Sequence, residues 1–234
     1  MTRLHDSVTQ TIVQQVVDKE FAAGDWLPRE VDLAARHGIS RGVAREAIQA
    51  LRERGLVMVR HGRGARVQPE AEWDLLDPIV LRALVSADGR PAVLEELIEC
   101  RRVVEPGAAA LAAERATRTG LERLEAALQA MDDASRSRRR AAADAHPFVA
   151  AEVAFHRALV GLAANRPLAK MLDPVHSALA IARHERAPTR QAAALHRHAE
   201  IHAAVTARDP DAARAALVAS VEELRDWLLK RRRS

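Results

Sequence analysis

Gly38-Ile39-Ser40-Arg41-Gly42-Val43-Ala44-Arg45-Glu46-Ala47-Ile48-Gln49-Ala50-Leu51-Arg52-Glu53-Arg54-Gly55-Leu56 is the stretch from which the rest of the chain is read. Gly38 suits the end of a preceding helix, and Ser40 is an N-cap whose hydroxyl accepts from first-turn amides. Gly55 suits a left-handed stop. Wound at about 3.6 residues per turn, Ala44, Ala47, Ile48 and Leu51 fall on one apolar stripe while Arg41, Arg45 and Gln49 line another face. Arg41 and Arg45 lie in the first turns, where unpaired amides and the positive end of the helix dipole also favour phosphate. This is the layout of a DNA recognition helix. A solvated, Arg-rich surface helix shares the pattern, so the flanking residues decide.

Upstream, Trp26-Leu27-Pro28-Arg29-Glu30-Val31-Asp32-Leu33-Ala34-Ala35-Arg36-His37 reads as a short helix joined to the first by a tight glycine turn, a helix-turn-helix. Downstream, Leu56-Val57-Met58-Val59-Arg60 and Ala65-Arg66-Val67 are brief strand runs around His61-Gly62-Arg63-Gly64, a hairpin with a basic tip. Together they make a winged helix-turn-helix. These residues resemble the GntR family of bacterial transcription regulators. That family carries a Gly-Asp-x-Leu-Pro turn, a Val-Ser-Arg-x-x-x-Arg-Glu-Ala helix and a Gly-x-Gly wing. They stand here as Gly24-Asp25-Trp26-Leu27-Pro28, Ile39-Ser40-Arg41-Gly42-Val43-Ala44-Arg45-Glu46-Ala47 and Gly62-Arg63-Gly64. The resemblance implies DNA contacts from Arg29, Ser40, Arg41, Gly42, Arg45, His61, Gly62 and Arg63. The family's usual arginine after the Glu of Pro-x-Glu-Arg is Val31 here, with Arg29 two residues earlier.

The chain's 234 residues suffice for one or two domains with real cores, and 48% are hydrophobic, which excludes a disordered tail. A formal net charge of +4 permits a basic surface. One cysteine, Cys100, excludes an intramolecular disulfide and reads as a buried helix residue. No run approaches the roughly twenty apolar residues that span a bilayer, so the expectation is a soluble, cytoplasmic protein with no membrane partner.

Residues 7–21 have core positions at helical spacing and should brace the recognition unit. Gln68-Pro69-Glu70-Ala71-Glu72 reads as a linker that Trp73 docks onto a domain, and Asp77-Pro78 caps and begins a helix. The expected organisation is a DNA-binding domain over 1–68, a linker over 69–78 and a helical domain over 79–234. After Pro91 the pattern is helical, with breaks near Thr119-Gly120, Ser135 to Arg140, Asn165-Arg166-Pro167, Ala187-Pro188 and Asp209-Pro210. That predicts about six helices in an antiparallel bundle, so the fold class is mainly α. The run from Glu99 to Thr117, with Phe155-His156 and Asn165-Arg166-Pro167-Leu168, resembles the FCD ligand-binding domain of the FadR branch of the same family. Within that branch, Trp73 to Leu81 is similar to galactonate-type regulators of sugar-acid catabolism.

Glu152 and His156 are four apart, as are His198 and His202, spacings that present two ligands to one metal. Isolated histidines on Ala-rich helices are more often surface or hydrogen-bonded core residues. The FCD resemblance implies a divalent metal such as Zn, Mn or Ni, and the matching positions are Glu152, His156, His198 and Ser220. Glutamate stands for the family's aspartate, and Ser220 cannot replace an imidazole donor. His202 is an alternative ligand, and a metal-free polar pocket is the other outcome. Arg101 and Arg102 are candidates to clamp an effector carboxylate, against the plain reading of a helix ion pair with Glu105. Asn165, in the FCD-like Asn-Arg-Pro motif, is a third effector candidate. The basic runs Arg136-Ser137-Arg138-Arg139-Arg140 and Lys230-Arg231-Arg232-Arg233 read as a solvated loop and a helix end.

The leading expectation is a DNA-binding regulator that represses a sugar-acid or other carboxylate operon and is released by a small carboxylate effector, an aldonic acid being the example. One short helix reads few base pairs, which points to a homodimer on double-stranded operator DNA. The competing class is a metal-dependent hydrolase built on Glu152, His156 and His198, although no His-Glu-x-x-His motif supports it. A third reading is DNA binding without any ligand.

Overall fold

In the computed structural model the recognition helix α3 (Arg41–Glu53) is preceded by Ser40 in extended conformation, whose hydroxyl accepts from the Val43 amide at 3.2 Å. Gly38 ends α2 (Glu30–His37) at φ 62°, its N–H donating to the Ala34 carbonyl. The stripe read from the sequence is buried: Ala44, Ala47 and Leu51 are fully enclosed where α3 packs on α1 (Leu4–Val17). The first helix stops at Val17, short of the expected residue 21, because the chain turns through Lys19 at φ 63°.

The structure describes residues 4–86, 91–137, 147–183 and 188–231. They divide into two units, 1–90 and 91–234. Strands β1 (Val57–Arg60) and β2 (Gly64–Val67) pair antiparallel with Val57 opposite Val67 and Arg60 opposite Gly64, forming the wing. The Gly24 to Leu27 turn adds to this sheet. Gly24 N–H donates to the Val67 carbonyl, Leu27 N–H to that of Ala65, and Val67 N–H to that of Asp25.

The segment read as a linker docks on the first unit through Trp73. Trp73 is buried and its indole N–H donates to the Gln68 carbonyl at 3.1 Å, while Arg54 pairs with Asp77 at 3.0 Å. Gly55, at φ 73°, passes so close that a Cβ there would lie 2.1 Å from the Glu72 carbonyl oxygen. Asp77 caps α4 (Pro78–Ser86), accepting from the Ile79 and Val80 amides. This helix packs on α1, so residues 79–86, expected in the second domain, group with the first unit. Its Val80, Leu81 and Leu84 need an apolar partner, and α1 supplies one.

Among the described residues the second unit has six helices: α5 (Pro91–Arg115), α6 (Arg118–Arg136), α7 (Pro147–Leu162), α8 (Arg166–Arg183), α9 (Pro188–Thr206) and α10 (Pro210–Arg231). Short turns at residues 116–117, 163–165 and 207–209 double the chain back. Gly120 does not break a helix: Thr117 is the cap, and Gly120 sits in the first turn of α6, where a Cβ would come within 2.2 Å of Leu162. α7 is buried along most of its length and contributes Phe148, Phe155 and Leu159 to the core. The mainly α expectation is therefore met. Among the described residues, no helix is long and apolar enough to cross a membrane. Arg138, Arg139 and Arg140, with Arg232 and Arg233, lie outside the described residues.

Candidate functional site

Each unit carries one candidate site. In the first, Arg41, Gly42 and Arg45 are exposed on α3, and Arg29 is exposed in extended backbone just before α2. His61, Gly62 and Arg63 form the exposed wing tip, with Gly62 at φ 76° in the region that favours glycine. Arg45 is 73% exposed at its side chain and its Nε donates to both carboxylate oxygens of Glu30, at 3.3 and 3.1 Å. No sequence signal pointed to Glu30, because the two residues sit on different helices. Val31 is 48% exposed, an apolar side chain on the outer face of α2 where the family has arginine.

In the second unit, four helices converge on a buried polar cluster. Arg101 and Glu105 of α5, Glu152 and His156 of α7, His176 of α8 and His198 of α9 all have less than 4% exposure. Arg101 faces the interior, but its fork is taken by the ion pair: Nε and Nη2 donate to Glu105 at 2.5 and 2.9 Å. Nη2 also donates to His156 Nε2 at 3.0 Å, and His176 Nε2 donates to Glu105 Oε1 at 2.5 Å. Burial alone would raise the Glu105 carboxyl, but the Arg101 guanidinium, with His176 and His156, holds it well below the usual carboxylate range. Burial and then the Arg101 charge push the His156 imidazole well below its ordinary value, so it is neutral and keeps a lone pair.

Two trios of ligand atoms lie within 4.8 Å of one another, Glu152–His156–His198 and Glu105–His156–His176. The first offers one carboxylate and two imidazoles, a donor set suited to a divalent ion, for which His156 Nε2 would exchange its hydrogen bond from Arg101 Nη2. His198 donates through Nδ1 to the Ala194 carbonyl at 2.6 Å, which leaves its Nε2 lone pair facing the cluster. His156 Nε2 and His198 Nε2 are 3.2 Å apart, close to the ~3.3 Å edge of a tetrahedron with metal–nitrogen bonds of about 2.05 Å. In the second trio Glu105 is already paired with Arg101 and His176. Ser220 lines the small void of about 10 Å³ beside the first trio, where the family has histidine.

Other expected site residues lie elsewhere. Arg102 is on the exposed face of α5 beside Glu99, because the helix rotates it about 100° from Arg101. Asn165 is a helix cap, its Oδ1 accepting from the Leu168 amide at 3.2 Å, so its side chain serves α8. His202 is half-buried and belongs to neither trio. His176 was missed, and Glu105 was read only as an ion-pair partner. The Arg101–Glu105 spacing did signal the pair, but nothing local marked it as buried or linked it to His176.

Residues 4–67 match the model of bacterial regulatory proteins of the gntR family, and residues 96–223 match the FCD domain. The galactonate operon transcriptional repressor of Escherichia coli (strain K12) is 30% identical over 220 residues, 92% of this chain and 93% of its own. The transcriptional repressor NanR of Cronobacter sakazakii is 32% identical over 165 residues, 70% of this chain and 60% of its own. The solved structure of Lar from Listeria monocytogenes aligns over 98% of each chain with a TM-score of 0.66 at 19% identity, a likeness of fold. These relatives are transcription regulators, and the metal-dependent hydrolase alternative finds no support among them.

Proposed function

The chain belongs to the GntR family of bacterial regulatory proteins and carries an FCD domain, and from that premise we propose a homodimeric repressor of a sugar-acid operon. Its effector is a small hydroxylated carboxylate of the aldonic-acid class, and effector binding weakens the hold on operator DNA. Arg41 and Arg45 read base edges, Ser40 and Gly42 place the recognition helix against the backbone, and Arg29 with the wing residues His61, Gly62 and Arg63 contacts phosphates or the minor groove. Glu152, His156 and His198 hold a divalent metal, with the position beside Ser220 left to water or an effector oxygen. When bound, that ion supplies a Lewis-acidic centre for a carboxylate and its neighbouring hydroxyl.

The observation that carries this reading is the charge of the buried cluster. With His156 neutral, the buried acidic and guanidinium groups of the cluster are one cation, Arg101, and two carboxylates, Glu105 and Glu152. An anion entering beside two buried carboxylates is opposed, whereas a divalent ion offsets their charge and offers a monocarboxylate a counter-ion. Effector binding should therefore require metal. The name of the Escherichia coli relative, a galactonate repressor, supports the aldonic-acid class. Coupling to DNA needs a ligand with unequal affinity for the DNA-fitting and misfitting states, typically about 1 to 3 kcal/mol.

The test is a thermal-shift screen of D-galactonate, D-gluconate and related aldonates on metal-loaded and chelated protein, followed by titration of the best binder into the protein–operator complex. Stabilisation of the loaded form alone, with release of DNA, is expected. Equal stabilisation after chelation overturns the metal's part, and unchanged DNA affinity overturns the repressor–effector coupling.

A further inference from the structure

We propose that Arg197, at the edge of the buried cluster, takes the effector's carboxylate by exchanging it for Glu223. This rests on the effector reading above but assigns the anion to a residue outside the metal trio and away from Arg101. The fork of Arg101 is already spent on Glu105 inside a core where both are 1% exposed, so releasing it would strand a buried carboxylate. Arg197 precedes His198 on α9 and lines the same void with Glu223, which lies one turn beyond Ser220 on α10. Their side chains are 37% and 26% exposed, which makes this pair the wet border of a site whose other charged groups are enclosed.

The contacts of Arg197 are exchangeable. Its Nε donates to Glu223 at 3.2 Å across α9 and α10, and Nη1 donates to Glu200 at 2.8 Å on its own helix. A half-exposed pair is weak in water and cheap to open, unlike the Arg101–Glu105 pair. Opening is required, because a void of about 10 Å³ holds roughly one water and no sugar acid. Swinging Glu223 away uncovers the position beside Ser220 and frees the Nε side of Arg197 in one motion. An incoming carboxylate then replaces Glu223 with the same charge and geometry, while Glu200 keeps the guanidinium in place.

The experiment is calorimetric titration of D-galactonate, D-gluconate and acetate into the metal-loaded full-length chain and into Arg197→Gln, Arg197→Lys and Glu223→Gln. Arg197→Gln should weaken the carboxylate that binds wild type by at least about tenfold, with metal content and Tm unchanged. Arg197→Lys should fall between the two. Glu223→Gln, which removes the internal competitor, should bind more tightly than wild type, a gain that a merely structural role would not produce. Wild-type affinity in Arg197→Gln, or unchanged or weaker affinity in Glu223→Gln, overturns the proposal while leaving the effector reading intact. Should Arg197→Gln fail to fold, the Lys and Glu223→Gln variants decide alone. If no carboxylate binds loaded wild type, both readings fall together.

Discussion

Two arginine–carboxylate pairs built from the same chemistry sit in opposite surroundings. Arg45 and Glu30 meet across α2 and α3 with 73% and 35% of their side chains exposed, whereas Arg101 and Glu105 meet within α5 at 1% each. In the first, water competes for both partners and the pair contributes little to stability, so the guanidinium remains available to DNA. In the second, no solvent can replace a lost partner, and the pair becomes part of the fold. An arginine's use is therefore set less by its neighbour than by what surrounds both.

The largest effect that would sharpen the contrast is loss of one buried partner. Glu105→Gln or Arg101→Gln should destabilise the chain by about 3 to 5 kcal/mol in urea unfolding, and a loss below about 1 kcal/mol would erase the distinction between the pairs. Replacing both together with apolar residues of similar volume should cost less than either single change.

Acid should separate the pairs next. The Glu105 carboxyl is held below its unfolded value, so its contribution is fully present above the ordinary carboxylate pKa and is lost as pH falls through the folded one. His156 is also held below its ordinary value, so the unfolded chain takes up that proton first and metal-free protein should start to weaken below about pH 6.5. Thermal unfolding of chelated protein from pH 7.5 to 4 would show this decline in wild type. In Glu105→Gln the carboxylate part of the acid limb should be missing. A flat profile in wild type would contradict the assignment.

On the exposed side, Arg45→Ala should forfeit about 1 to 3 kcal/mol of discrimination at one base pair, while urea unfolding shifts by no more than about 1 kcal/mol. Operator titration with single-base variants at fixed salt checks the first half. If the variant unfolds much more easily, the exposed pair is structural after all. The smallest effect belongs to the wing: Arg63→Ala should reduce the slope of log affinity against log salt by about 0.9 if one phosphate contact is lost. An unchanged slope makes the wing a bystander.

Much of the first unit was legible because its signals are local. Ser40 caps within three residues, Gly38 and Gly55 adopt left-handed turns the sequence marks, and the Ala44–Leu51 stripe follows from the helical period alone. The six helices of the second unit were legible for the same reason, as was the pairing of Glu152 with His156. For the segment at residues 68–78, polarity, proline and Trp73 describe a docked linker, while its place on the first unit and the passage of Glu72 over Gly55 depend on contacts made after folding.

The sequence by itself determined the winged helix-turn-helix, its arginine-bearing recognition helix and the helical second unit, and it named Glu152, His156 and His198 as candidates. Tertiary structure alone decided that α4 packs on α1, that Arg102 and Asn165 are spent on a surface and a cap, and that Glu105 and His176 enter the cluster. Caps and periodicity act over a few residues along one helix. A buried polar cluster is assembled from four helices separated by up to about a hundred residues, and burial, which turns an ordinary i,i+4 pair into a structural one, is a property of the packed chain.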